Sequence, residues 1–146
     1  MDDSSSLIAI PSETPSGFLV HAKEFFEAAQ LVLSRRDSVS LPSYFLLGRS
    51  IELALKAFLL SRGLNARELK SRKFGHDLDA LLNKAISLGI ENELPITDSE
   101  KGVLSLLNYD YLEKRFEYRV TNGTYALPFI DTTKQIARKL AYELRI

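Results

Sequence analysis

The feature that most constrains this chain is the run from Leu41 to Leu60, which is apolar on nearly every side. Ser40-Leu41-Pro42 reads as its start, with Ser40 as the N-cap, and Gly63 supplies the left-handed residue that ends it. A helix this apolar is normally central, with the other elements packed around it. Arg49, Glu52 and Lys56 are the only charged residues in the stretch from Tyr44 to Leu60, and their spacing of three and four puts them on one face. The same charges rule the segment out as a membrane span, which requires about 18 uninterrupted apolar residues.

Four further helices follow from apolar residues at helical spacing. Thr14-Pro15 opens the first, which carries Phe18, Ala22, Phe25, Phe26, Ala29, Val32 and Leu33 and ends near Arg36. Leu78, Leu81, Leu82, Ala85 and Ile86 define another, closed by Gly89. Thr97-Asp98-Ser99-Glu100 spells a capping box for a fourth, running through Val103, Leu107 and Tyr111 to about Phe116. Asp131 is expected to cap the last, whose inner face is Ile136, Ala137, Leu140, Ala141 and Leu144. Between Tyr118 and Leu127, Thr121-Asn122-Gly123-Thr124 signals a turn, in an irregular loop in preference to a hairpin. The expectation is an all-α, antiparallel up-and-down bundle of four to five helices over residues 15–146, preceded by a mobile tail over residues 1–14.

Composition narrows the chemistry. The chain of 146 residues contains no cysteine, which removes disulfides, thiolate metal sites and cysteine nucleophiles. Lys+Arg and Asp+Glu are equal at 19 each, so any surface for an anionic partner must be a local patch. An acidic start, Met1-Asp2-Asp3, and Pro11 soon after argue against a secretory leader and for a cytoplasmic protein without membrane association. Walker, dinucleotide and His-Glu-x-x-His signatures are absent, and two histidines, His21 and His76, do not make a multi-histidine metal site, so neither metal nor cofactor is expected. Gly48-Arg49-Ser50 lacks the second glycine of a nucleophile elbow and lies inside a helix. His21, beside the apolar face of the first helix, reads as a packing residue.

The stripe Arg49, Glu52, Lys56 is open to two readings: an i,i+4 ion pair on the solvated side of the helix, or a face turned to a cleft or a second subunit, where Gly48 permits close approach. Residues 62–73 hold Arg62, Arg67, Lys70, Arg72 and Lys73 against Glu68. Arg67, Lys70, Arg72 and Lys73 are phosphate-contact candidates, or simply charges compensating a helix end and a solvated loop. No aromatic residues interleave with them to give a single-strand stacking platform.

Ser50-Ile51-Glu52-Leu53-Ala54-Leu55-Lys56-Ala57-Phe58-Leu59-Leu60, followed by Gly75-His76-Asp77-Leu78, resembles the HEPN superfamily (higher eukaryotes and prokaryotes nucleotide-binding). The resemblance implies a helical bundle that dimerises and that binds nucleotide or RNA or cleaves RNA, often beside a nucleotidyltransferase partner in a toxin–antitoxin pair. It also implies a polar cluster for a ligand or an interface, comprising Arg49, Glu52, Lys56, His76 and Asp77. Ribonuclease members carry an Arg, a polar residue and a His near the end of the fourth long helix. The corresponding stretch here holds Arg115 and Arg119 but no histidine, and Tyr125 stands where one would follow Arg119. A phenol with an ordinary pKa near 10 is a poor substitute for imidazole.

His76 opens the third long helix, either bonded to a carboxylate such as Glu52 or acting on a ligand. The leading expectation is a nucleotide- or RNA-binding or partner-regulating protein without catalysis. One alternative is a divergent, metal-independent endoribonuclease using His76 with Arg115 or Arg119. Another is a scaffold subunit of a toxin–antitoxin type pair.

Overall fold

The computed structural model describes residues 13–35, 38, 40–116 and 124–146. It contains α1 (Pro15–Ser34), α2 (Leu41–Ser61), α3 (Ala66–Lys70), α4 (Leu78–Ser87), α5 (Ile90–Glu93), α6 (Asp98–Leu112) and α7 (Ile130–Glu143), with no strand among the described residues. The five long helices are those expected from the spacing, and α2 is the axis of the bundle, contacting α1, α4, α6 and α7. Leu47, Ile51, Ala54, Leu55, Phe58 and Leu59 of α2 are buried on all sides by these neighbours.

Local signals set the helix starts. Thr14 Oγ1 accepts from Gly17 N–H, with Pro15 at the first position of α1. Thr97 and Glu100 exchange the two bonds of the capping box at 3.1 and 2.9 Å. Ser40 stands at the cap of α2, its own N–H donating to Ser43 Oγ. Asp131 is not the cap of α7, as its type suggested: Phe129 holds that position, and Asp131 sits in the first turn, where a carboxylate suits the helix dipole.

Two single-turn helices escaped the periodicity because they are shorter than one amphipathic repeat. α3 is held by a capping box of Asn65 and Glu68, and α5 follows Gly89. The tail over residues 1–12, Arg36, and most of the expected loop, residues 117–123, lie outside the described residues; 124–129 are irregular. Among the described residues no helix is long and apolar enough to cross a membrane, and no group of three His, Cys, Asp or Glu is placed to hold a metal ion.

Candidate functional site

The polar stripe of α2 does not face water. Glu52 is 1% exposed, and the Lys56 side chain only 9%. Glu52 Oε2 accepts from Lys56 Nζ at 2.8 Å, and Arg49 Nη1 donates to both carboxylate oxygens at 3.2 and 3.3 Å. From α6, Tyr111 Oη–H donates to Glu52 Oε1 at 2.6 Å. His76 Nδ1 lies 3.1 Å from both oxygens. A carboxylate only accepts, so Nδ1 is the donor nitrogen and the neutral ring keeps Nε2 as an acceptor.

Helix geometry explains why these groups meet. Residues 49, 52 and 56 share one face of α2, and α6 crosses that face so closely that Gly48 is required. A Cβ at position 48 would lie 2.5 Å from two carbons of the Tyr111 ring. His76 is placed by the turn before α4, where Asn108 of α6 accepts from Leu78 N–H at 2.9 Å and donates to Asp77 Oδ1 at 3.0 Å. Asp77 therefore belongs to this scaffold: its carboxylate caps α4, accepting from Ala80 N–H, and does not join Glu52.

Burial by itself raises the pKa of Glu52, but Lys56 and Arg49, with the hydrogen bonds of Lys56 and Tyr111, outweigh it and hold the carboxyl below its ordinary value. Burial, followed by the adjacent negative charge of Glu52, pushes the Tyr111 phenol up. A carboxylate depressed in the folded state stabilises the fold fully above its unfolded pKa of about 4.3, and loses that contribution as pH falls through the lower folded value. Thermal melts between pH 7 and pH 3 are expected to show a fall in stability on the acid side that is shallower in Glu52→Gln. Identical acid limbs in the two proteins would contradict the assignment.

Beside the cluster lies a cavity of about 330 Å³ lined by Phe25, Phe45, Arg49, His76, Tyr111 and Lys114. The Phe45 and Tyr111 rings stack at 6.2 Å, and the Arg49 guanidinium lies over the Phe25 ring at 5.6 Å. Compared with known proteins, the chain matches no family model, no curated protein and no solved structure. The site is therefore read from its own chemistry: aromatic faces, three nitrogen-bearing side chains, and a carboxylate withdrawn behind them.

The other sequence candidates lie elsewhere. Arg115 Nε is 3.1 Å from the buried Asp110, its Nη2 donates to Thr124 O, and its guanidinium lies over Tyr125; Tyr125 Oη–H in turn donates to Arg115 O. Arg115 thus fastens the segment after residue 123 to the end of α6 and lines a different depression from His76. Arg119 lies outside the described residues. In the basic segment, Arg62 pairs with Glu93 over the Phe58 ring, Lys70 pairs with Glu13, and Lys73 lies over Phe74. Arg67 and Lys70 border a shallow depression that includes Glu13, and Arg72 is exposed. His21 bonds to Glu24 at 2.9 Å. Sequence reasoning missed Phe25, Phe45, Tyr111 and Lys114; the one signal toward any of them was Gly48, whose lack of a side chain marks the approach of Tyr111.

Proposed function

We propose that this is a HEPN-like cytoplasmic protein that binds a nucleotide or RNA in the cavity beside Glu52, without catalysis. The observation that carries the reading is the lining itself. Phe25 and Phe45, with the buried Tyr111 ring behind Phe45, give an aromatic wall for a base to pack against, while Arg49 and Lys114 offer donors for phosphate and the neutral His76 ring offers Nε2 as an acceptor. A homodimer and a nucleotidyltransferase partner belong to the same proposal through the resemblance of α2 and the turn before α4.

One observation favours a second reading. Glu52 orients His76 by Nδ1, the arrangement in which a carboxylate prepares an imidazole for proton transfer. In that reading Arg49 or Lys114 would hold the phosphate of a cleaved RNA, in place of Arg115, which is committed to Asp110. One experiment serves both. Fluorescence-polarisation titrations with mononucleotides and labelled single-stranded RNA should show salt-sensitive binding, weakened about tenfold or more by Arg49→Ala, the loss of one charge-assisted contact. The RNA should be recovered intact. Cleavage that disappears in His76→Ala would replace the first reading with the second, and no binding of any of these probes would refute the first.

A further inference from the structure

Resting on that reading, we propose that the ligand is a single nucleoside monophosphate, and that Lys114 selects its phosphorylated form. The argument begins at the end of α6. Lys114 N–H donates to Tyr111 O at 3.1 Å and Arg115 N–H to Asp110 O at 2.9 Å, the paired bonds of a Schellman termination. That motif places its C′ residue in the left-handed region, and Lys114 has φ +58°. Glycine takes this conformation without a Cβ clash, and this chain uses it just past α2 and α4, at Gly63 with φ +107° and Gly89 with φ +91°. Among the described non-glycine residues Lys114 alone has positive φ, and its side chain lines the cavity. A strained backbone position that delivers a charge to a cavity points to a ligand that uses the charge.

Charge balance identifies what that ligand carries. Among the described residues no acidic group lines the cavity. Behind it, the one carboxylate of Glu52 meets both Lys56 and Arg49, so one positive charge is left over, and Lys114 adds a second. Arg49 is also the partner that Glu52 can spare. Its contacts are the longest of those to the carboxylate, its side chain is 28% exposed, and Lys56 and Tyr111 remain at 2.8 and 2.6 Å if it turns away. A phosphate between Arg49 and Lys114 would neutralise both surplus charges.

Size sets the other limit. At about 330 Å³ the cavity is at the small end of ligand sites, enough for one base and one sugar phosphate. The aromatic wall of Phe25 and Phe45, backed by the buried Tyr111 ring, suits one planar ring system, and the described lining offers no second platform for the next base of a strand.

Isothermal titration calorimetry on the full chain tests this with adenosine 5′-monophosphate, adenosine, inorganic phosphate and a ten-nucleotide single-stranded RNA with hydroxyl ends. The monophosphate should bind, with adenosine and phosphate each weaker by at least about tenfold, the worth of one charge-assisted contact or one stacked ring. Lys114→Gly should lose about tenfold in affinity for the monophosphate while its melting temperature does not fall, because glycine suits the backbone better. Lys114→Arg should keep the affinity. Binding of the RNA but not the monophosphate would overturn this inference and leave the broader reading standing, whereas silence from every probe would end both. Phosphate binding as tightly as the monophosphate, or wild-type affinity in Lys114→Gly, would also overturn it.

Discussion

Glu52→Ala is expected to lower the stability of this protein by about 3–5 kcal/mol, the cost of breaking a buried ion pair by removing one partner. Lys56 would be left with 9% of its side chain exposed and no counter-charge, and the Tyr111 hydroxyl would lose its acceptor at 2.6 Å. For a domain of this size that corresponds to a melting temperature lower by about 10 °C or more. Arg49 would contribute little to the loss, since it is partly exposed and already lies over Phe25.

A second substitution separates this account from simple loss of packing. Adding Lys56→Met to Glu52→Ala removes the stranded charge and restores apolar contact, so the double variant should recover about 1–3 kcal/mol relative to the single one. Urea titrations of the two variants decide the matter. If the double variant were no more stable than Glu52→Ala, the damage would come from a cavity, and the uncompensated lysine would not be its source.

How far the sequence reveals this site depends on which residues carry a local signal. The face shared by Arg49, Glu52 and Lys56 follows from helical spacing alone, and the apolar remainder of α2 makes its central place a physical necessity. What faces that stripe is a tertiary fact. Tyr111 reads only as one more core residue of α6, and nothing local says that its hydroxyl ends on Glu52, 59 positions earlier. Phe25 and Phe45 are likewise indistinguishable from core residues in a periodic pattern. Lys114 carries a misleading signal, because a lysine at a helix end is expected to compensate the dipole. Its left-handed backbone is set by where α6 stops, at Leu112, about four residues before the end near Phe116 that the sequence suggests. Arg115 misleads in the opposite sense: an arginine near the end of the fourth long helix suggests phosphate chemistry, but the buried Asp110 five residues before it claims the charge.

Gly48→Ala should be destabilising even though it replaces glycine by the best helix former in the middle of a helix. The gain in propensity is about 1 kcal/mol. Against it stands a Cβ placed 2.5 Å from two carbons of the Tyr111 ring, far inside van der Waals contact. The ring cannot readily yield, because its hydroxyl is anchored on Glu52 and its face stacks on Phe45 at 6.2 Å. Overpacking of this kind costs about 1–3 kcal/mol, and a tethered neighbour puts the cost toward the upper end, so a net loss of about 1–2 kcal/mol is expected. The same displacement would move two walls of the cavity, so ligand affinity should fall together with stability. A Tyr111→Leu background tests the cause: with the ring gone and a side chain free to turn, Gly48→Ala should cost at least about 1 kcal/mol less than in the wild type. Denaturant titration of the four proteins gives this coupling directly. An equal cost in both backgrounds would mean that the glycine is needed for something other than the approach of α6 to α2.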